Sequence, residues 1–388
     1  MDGTGKGLAR DLPDFQLEKY VADHAYGARH HLSASDAQTL SIAELLEMAG
    51  PGAEAAFLSR GLGYTAIRGG AGLRAAIAAT YTRQSPETVM AFAGAGEAIF
   101  AVLNVLLSPG DHAVAVTPNY QSHEALPWAL GAVTGVPLDP AQGWALDLQA
   151  VADAVRPETR AIVINYPHNP TGTLLSEAAL AELVALCRAR GLYLVNDEVF
   201  HGLGPSAAPH VPAVADVYER GVSINVLSKA YGLPGLRIGW VATPDQGLLS
   251  ELEAFKHYLS VCPAGPSEWL GEIALRQRDR ILARNCGIID ENIALWSACF
   301  ARHPTRFAGA VPVGGSIAYP KYLGPGTVEE FAQRLLHDHG IFVVPASTFP
   351  SQSSATPEGH FRIGFARRGL AEGLAALEAA LAEMPTPA

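Results

Sequence analysis

The sequence predicts an α/β protein in which a mostly parallel, mixed sheet is flanked by helices, together with a smaller α+β domain. One observation is that short apolar segments alternate with helical patterns from about residue 60 to 275. Another is that these segments are apolar throughout, as expected for strands buried on both faces. The pattern then changes to mixed helical and strand segments. We therefore expect a large domain over residues 51–284 and a small domain formed by residues 1–50 and 285–388.

The elements follow from these patterns in chain order. The candidate strands of the large domain are 89–94, 112–117, 161–166, 192–197, 223–228 and 238–243. Helical patterns occur at 71–83, 97–107, 178–191 and, as one long stretch, at about 266–303. The C-terminal part predicts strands at 317–323, 341–345 and 360–366, helices at 328–340 and 369–383, and a polar surface loop at 351–359. Ligands bind outside the carboxyl ends of strands in such sheets, so residues there are the candidates for a site.

Composition excludes several classes of function. The 388 residues are 49% hydrophobic and 17% charged, which is typical of a folded globular protein. The net charge of -11 gives no electrostatic reason to expect nucleic acid or an anionic membrane as partner. Neither a membrane-spanning run nor a secretory signal is visible, and the four distant cysteines predict free thiols rather than a metal site or disulfide. We expect a cytoplasmic protein.

Lys229 lies at the end of a predicted strand and precedes a turn rich in glycine. An unpaired lysine is costly to bury, but a lysine with a lowered pKa can form a Schiff base with an aldehyde. Arg237 follows between glycines that allow close approach of a ligand, where an arginine can clamp a phosphate group. The alternative interpretation is a lysine and an arginine at a surface edge of the sheet.

Asp197 and Asn169 follow two other predicted strands. An acid at the end of an apolar strand needs a partner, and a protonated pyridine nitrogen is one such partner. Asn169 lies in a turn with two prolines and a glycine, from which its amide could donate to a phenolate oxygen. Alternatively, each side chain serves the backbone of its own turn.

A strand, a glycine turn and a helix are predicted in succession over residues 92–100. The first N–H groups of such a helix can bind phosphate, and here the candidates are Ala95, Gly96 and Glu97. Tyr120 follows another strand and offers a ring for stacking on an aromatic ligand. Taken singly, the glycine turn and the tyrosine are each better explained by a structural role.

The spacing of these residues is more informative than any one of them. Asn169, Asp197 and Lys229 are separated by 28 and 32 residues, each interval being one β–α unit, so all three fall at carboxyl ends of strands. With the ordered motifs G-A-G-E-A, N-Y, N-x-P-T-G, D-E-V and S-K-x-x-G-L-P-G-x-R-x-G, the sequence resembles the class I/II aminotransferases. Members of this family are fold type I enzymes dependent on pyridoxal 5′-phosphate (PLP). The resemblance covers nearly the whole chain.

The resemblance implies a role for each candidate residue. Lys229 would hold PLP as an internal aldimine and then move the proton of the substrate α-carbon. Asp197 would pair with the pyridine nitrogen, Asn169 would bond the ring O3′, and Tyr120, the third residue at the catalytic centre, would stack on the ring. The phosphate would be bound by Ala95, Gly96, Glu97, Ser228 and Arg237.

Two further residues complete the implied site. Tyr64 matches the family tyrosine that reaches the phosphate of the neighbouring subunit, so the resemblance implies a homodimer with shared active sites. Arg362 matches the arginine that holds the α-carboxylate of an amino-acid substrate, with Asn169 as a second substrate-binding residue. The expected reaction is transamination to a 2-oxo acid through aldimine, quinonoid and ketimine.

The sequence also departs from the family pattern. Phe200 replaces a tyrosine that bonds O3′, and Val226 replaces a hydroxyl residue near the phosphate. His168 and His201 are unusual and are interpreted as structural residues near the site. The P-H-N-P turn, the missing tyrosine and the segment 314–322 resemble capreomycidine synthases, PLP enzymes that dehydrate and cyclise hydroxyarginine. Elimination of a β- or γ-leaving group, with cyclisation, is therefore the alternative to transamination.

These motifs do not specify the side chain of the substrate. The segment 28–38 and the partner subunit are expected to contact it. Asp36 and Glu124 could receive a cationic side chain, although a solvated surface position is the favoured interpretation of both.

Overall fold

The computed structural model describes residues 12–385. Residues 1–11, which belong to the predicted small domain and to the stretch searched for a signal peptide, lie outside the described residues, as do residues 386–388. Among the described helices, none has the length and apolar character needed to cross a bilayer. The α-helices are α1 Gln16–His24, α2 Ile42–Ala49, α3 Ala53–Leu58, α4 Ala71–Ala78, α5 Ala95–Leu106, α6 Ser122–Leu130, α7 Leu148–Ala154, α8 Glu177–Arg190, α9 Val214–Val217, α10 Gln246–Lys256, α11 Gly265–Arg276, α12 Arg278–Arg302, α13 Val328–His339 and α14 Leu370–Glu383.

The β-strands alternate with these helices in the first two thirds of the chain and cluster between α12 and α14 afterwards. They are β1 His30–His31, β2 Val89–Phe92, β3 His112–Thr117, β4 Ala132–Pro137, β5 Thr159–Asn165, β6 Tyr193–Asp197, β7 Gly221–Val226, β8 Gly239–Ala242, β9 Phe307–Ala308, β10 Ile317–Ala318, β11 Lys321–Tyr322, β12 Ile341–Phe342, β13 Val344–Pro345 and β14 Phe361–Gly364.

A seven-stranded sheet in the order β2-β8-β7-β6-β5-β3-β4 forms the centre of the molecule. β8 is antiparallel to both of its neighbours, and the strands from β7 to β4 are parallel to one another. The predicted α/β class with a mostly parallel, mixed sheet is confirmed. The sequence patterns missed β4, the edge strand, because its residues are mostly half-buried or exposed and do not form an apolar run.

The sheet is buried on both faces, which explains its apolar strands. Met90 and Phe92 of β2 pack with α5 and α10, whereas Val89 and Ala91 face the opposite core with Leu73 of α4. Alternate side chains of a strand point to opposite faces, so both faces must be apolar when helices cover both. Each fully buried aliphatic or aromatic side chain contributes about 1.5–3 kcal/mol.

The N-terminal segment joins the C-terminal part of the chain through strand pairing. β1 pairs in parallel with β12, with His30 opposite Ile341. β14 lies between β10 and β13 in an antiparallel sheet. The stretch predicted as one helix over 266–303 is two helices that meet at Gln277. The predicted boundary between residues 284 and 285 falls inside α12, and the division into two domains stays a prediction.

Candidate active site

A cavity of about 810 Å³ lies at the carboxyl ends of β5, β6 and β7. Most of the residues singled out from the sequence share this one space, as expected for loops that follow parallel strands. The sequence-predicted residues that line it are Ala95, Gly96, Tyr120, Asn169, Asp197, Ser228, Lys229, Arg237 and Arg362. Glu97 and Tyr64 are not among its lining residues.

Lys229 extends into this cavity from the turn that follows β7. Its Nζ donates a hydrogen bond to Oγ of Ser35 at 2.9 Å. Ser35 comes from the segment after β1, so the N-terminal part of the chain contacts the lysine directly. Burial lowers the pKa of Lys229. A lowered pKa raises the share of neutral amine, which is the form that attacks a carbonyl carbon.

Asp197 ends β6 and is fixed by three neighbours. Nε2 of His123 lies 3.0 Å from its Oδ2, and the backbone N–H of Val199 donates to its Oδ1 at 3.2 Å. The side-chain amide of Asn165 donates to the backbone oxygen of Asp197 at 2.7 Å. The carboxylate is therefore oriented toward the cavity before any ligand arrives. His123 was missed in the sequence, where its only signal is its position one helical turn after Tyr120.

A cradle for an anion lies between α5 and the turn before β8. The first N–H groups of α5 belong to Ala95 and Gly96, which line the cavity. Nη1 of Arg237 donates to Oγ of Ser228 at 3.4 Å. Gly94 has φ of 95°, and a Cβ built there would overlap Nη2 of Arg237. Free N–H groups, a hydroxyl and a guanidinium together have the chemistry of a phosphate site.

The side chain of Glu97 is not among the groups that line the cavity, and its part in phosphate binding at the start of α5 stays a prediction. Its carboxylate accepts hydrogen bonds from the backbone N–H of Ala93 at 2.5 Å and of Ser260 at 2.9 Å. The first contact holds the turn between β2 and α5, and the second connects α5 to the segment after α10. The side chain therefore braces the cradle from outside, and it does not face the cavity.

Arg362 lies on β14 and is buried at the far wall of the cavity. Its Nη1 donates to Oδ1 of Asn169 at 3.2 Å, and its Nη2 donates to the backbone oxygen of Ser33 at 3.2 Å. Burial lowers the pKa of Arg362 to about 10, so the guanidinium stays positively charged at neutral pH. A planar guanidinium beside an amide is suited to binding a carboxylate with two hydrogen bonds.

The Tyr120 ring lies on the side of the cavity formed by α1. Its hydroxyl donates to Oε1 of Glu18 at 2.9 Å, and its ring centroid lies 4.9 Å from that of Phe15. Glu18 lines the cavity but was not singled out from the sequence. Phe200 and Val226 also line it, so the two departures from the family pattern face the cavity.

Of the two unusual histidines, His168 is buried and His201 is half-buried. His168 bonds Oγ1 of Thr171 through Nδ1, and burial lowers the pKa of His168 to about 3. His201 lines a separate cavity of about 210 Å³ and packs edge-on against His210. Tyr64 is 95% exposed and lies away from this chain's own cavity.

The favoured surface interpretation of the two acids was wrong. Glu124 is buried, and its Oε1 accepts hydrogen bonds from Ser351 and Ser353 of the predicted surface loop. Asp36 lines the cavity and pairs with Arg367 at 2.6 Å. The error arose because neighbouring residues from distant parts of the chain, not local polarity, decide the exposure of a single acid.

The lysine amine, the oriented carboxylate, the anion cradle and the buried arginine surround one cavity. These groups fit the aldehyde, the pyridine nitrogen and the phosphate of PLP, with one arginine left for a substrate carboxylate. Fold and site together are those of a PLP-dependent enzyme of fold type I.

Comparison with known proteins agrees with this class. The family model described as aminotransferase class I and II matches residues 54–378. Capreomycidine synthase of Streptomyces vinaceus is 31% identical over 378 residues, spanning 94% of this chain and 93% of the relative. Arginine–pyruvate transaminase of Pseudomonas aeruginosa is 32% identical over 316 residues, spanning 78% and 77%. The crystal structure of a PLP-dependent aminotransferase from Streptococcus suis superposes with a TM-score of 0.89 at 30% identity, covering 97% and 100% of the two chains.

The chain belongs to the class I and II aminotransferase family. It is a PLP-dependent enzyme whose substrate is a small molecule of the amino-acid class, as the resemblance of its motifs implies.

Proposed function

We propose that the chain transfers the amino group of an amino acid to PLP and releases a 2-oxo acid, with the residues of the cavity in the following roles. The observation that carries this proposal is that Lys229, Asp197 and Arg362 line one cavity although they come from three distant parts of the chain. Lys229 provides an amine for covalent attachment of the cofactor, Asp197 a negative charge for its ring nitrogen, and Arg362 a positive charge for the substrate carboxylate. When bound, PLP supplies an electron sink that makes the α-proton of the amino acid acidic.

The cofactor would be held at both ends by this chain. Nζ of Lys229 would attach to it covalently, and Asp197 would pair with its ring nitrogen. Tyr120 would cover one face of the ring, while Asn169 would donate to its phenolic oxygen. The phosphate would lie in the anion cradle formed by Ala95, Gly96, Ser228 and Arg237.

The substrate would be oriented by its α-carboxylate on Arg362. Once released from the cofactor, the neutral amine of Lys229 would take the proton from the α-carbon. Its lowered pKa supports this role, since a base must be deprotonated to accept a proton. The hydroxyl of Ser35 would hold the same nitrogen between steps.

A homodimer with shared sites and a cytoplasmic location are part of the proposal. Tyr64 has its ring almost fully exposed, as expected of a side chain that completes the phosphate site of a second copy. Other large apolar side chains are exposed on the same protein, including Leu62 and Tyr258. The cysteines of the described residues are unpaired, which favours a reducing compartment.

A second candidate function is elimination of a leaving group with cyclisation. Phe200 supports it, because the wall of the cavity offers no hydroxyl at that position. One donor fewer near the phenolic oxygen changes how strongly the ring withdraws electrons. The high coverage by capreomycidine synthase, whose name denotes a synthase rather than a transaminase, agrees with this alternative.

The test is an assay of amino acids with an added 2-oxo acid as acceptor. Transamination produces one new 2-oxo acid for each acceptor consumed, whereas elimination consumes no acceptor. Lys229→Ala should lose the visible absorption band of the attached cofactor and all turnover. Lys321→Ala, which changes an exposed lysine outside the cavity, is the matched control. Full activity of Lys229→Ala would contradict the proposed mechanism.

A further inference from the structure

The active-site cavity holds more charge than the cofactor and an α-carboxylate require. Positively and negatively charged side chains line it, and they come from residues 18–36, 197, 229–237 and 362–367. The cationic side chains are Lys229, Arg237, Arg362 and Arg367, and the anionic side chains are Glu18, Asp36 and Asp197.

Most of these charges have partners, either in the structure or in the proposed function. Asp36 and Arg367 form an ion pair with each other at 2.6 Å. Asp197 is held by His123 and would pair with the ring nitrogen, while Arg237 and Arg362 are assigned to the phosphate and the α-carboxylate. Among residues 12–385, this leaves the carboxylate of Glu18 as the anionic group of the cavity with no cationic partner.

The position of Glu18 keeps it available to a ligand. It lies in the first turn of α1, where Leu17 is buried and anchors the helix. The hydroxyl of Tyr120 donates to Oε1 of Glu18, which leaves Oε2 for another donor. The adjacent Lys19 does not neutralise Glu18, because its Nζ pairs with Asp14 at 2.8 Å.

The charge of Glu18 reaches the groups that would hold the substrate. Burial lowers the pKa of Arg362 to about 10, and among charged neighbours Glu18 is the foremost one opposing that change. Burial also lowers the pKa of Lys229, with the carboxylates of Asp36 and Glu18 opposing it. An amino acid bound between Arg362 and Lys229 would share the cavity with this carboxylate, since all three side chains line it.

We propose that Glu18 binds the positively charged end group of the substrate side chain, so that the enzyme prefers amino acids ending in a guanidinium or ammonium group. The inference rests on the proposed function, because it places the α-carboxylate on Arg362 and the α-carbon beside Lys229. A charged end group supplies the counter-charge that Glu18 lacks, and charge-assisted hydrogen bonds to a carboxylate are stronger than neutral ones.

A simpler role for Glu18 would be to orient Tyr120 alone. Glu18→Gln separates the two roles, because the amide oxygen of glutamine still accepts the hydrogen bond from the Tyr120 hydroxyl. The variant removes the negative charge and keeps the shape of the side chain. Asp23→Asn is the matched control, since it removes the same charge from an exposed position on the same helix.

The experiment compares amino acids that carry a charged end group with analogues that lack this charge. L-arginine is compared with L-citrulline, and L-lysine with L-norleucine. Dissociation constants for the PLP-loaded protein are measured by titration calorimetry and by the change in visible absorbance of the cofactor. Wild type should bind at least one charged member about tenfold more tightly than its neutral partner, which corresponds to about 1.4 kcal/mol. Glu18→Gln should reduce that ratio to about twofold, and Asp23→Asn should keep it.

The outcomes separate the two levels of the proposal. Equal affinities for charged and neutral members in wild type would overturn the role of Glu18 and leave the proposed function standing. A preference that persists in Glu18→Gln would do the same. If none of the four amino acids, nor L-alanine or L-glutamate, binds or changes the absorbance of wild type, the proposed function itself fails.

Discussion

Replacing Glu124 with glutamine should loosen the loop at residues 351–354. Oε1 of Glu124 accepts hydrogen bonds from the backbone N–H groups of Gln352 and Ser353, both at 3.0 Å. The hydroxyls of Ser351 and Ser353 donate to the same oxygen, at 2.9 and 2.5 Å. One buried carboxylate on α6 therefore holds a loop that is more than two hundred residues away in the chain.

The magnitude follows from the two backbone contacts. A hydrogen bond to a charged acceptor contributes about 1.5–3 kcal/mol, and a neutral one about 0.5–1.5 kcal/mol. Glutamine keeps an oxygen but removes the charge, so about 1 kcal/mol is lost at each N–H group. The loss of about 2 kcal/mol raises the equilibrium constant for opening of the loop roughly 30-fold.

The assay is hydrogen–deuterium exchange of peptides that cover residues 349–357. Exchange through local opening reports the free energy of that opening, so the affected amides should exchange about 30-fold faster in Glu124→Gln. Glu182→Gln, an exposed glutamate on α8, is the control and should exchange as wild type does in these peptides.

The same variant should weaken substrate binding. Phe349 begins this stretch, and its ring centroid lies 5.7 Å from the guanidinium carbon of Arg362. When the loop is loosened, Phe349 no longer holds the Arg362 guanidinium firmly in place. Because Arg362 is proposed to bind the substrate carboxylate, KM should rise severalfold while kcat changes less. Exchange of 349–357 that stays within threefold of wild type would refute the reasoning.

Two other substitutions test parts of the active site, and a third tests a buried acid outside it. Gly94→Ala would strain a backbone with φ of 95° and push Arg237 aside. The affinity for PLP, measured by titration of the cofactor-free protein, should therefore fall at least about tenfold. Unchanged affinity would contradict the proposed phosphate cradle. His123→Phe removes a donor from the Asp197 carboxylate, so kcat should fall about tenfold with little change in KM, and a pure KM effect would argue against this role. Burial raises the pKa of Glu198 from its ordinary 4.5 to about 8, so its contribution to stability is complete below 4.5 and is lost as pH rises through about 8. Glu198→Gln should therefore lose less stability than wild type between those pH values, measured by thermal unfolding, and parallel curves would disprove the shift.

The central fold and the strand-end residues could be predicted from the sequence for a physical reason. Strands buried on both faces are apolar throughout, and a polar residue at the end of such a strand stands out. Parallel strands also bring their carboxyl ends to one edge, so spacing alone placed Asn169, Asp197 and Lys229 together. In the structure, these three residues line the same cavity.

The residues that were missed come from elements without such a signal. Glu18 lies on a short helix whose polar sequence is ordinary, and Ser35 lies in an irregular segment. Ser35 follows β1, which pairs with β12, and Glu18 is held by the hydroxyl of Tyr120. Local sequence encodes neither of these long-range contacts. The burial of His123 and Glu124 could not be predicted for the same reason, since tertiary neighbours decide whether a polar side chain on a helix is buried.

The pairing of β1 with β12 also has a consequence for how the protein is made. His30 cannot pair with Ile341 until Ile341 has been synthesised. At ribosomal rates, synthesis of the intervening residues takes roughly 15–60 s. Until then Ser35 has no fixed place beside Lys229, and Arg362 has not yet been translated. The sheet that anchors the lysine can form early on the ribosome, but a nascent chain has no finished substrate pocket. A growing polypeptide is thereby expected to gain its chemistry only after Arg362 has been synthesised.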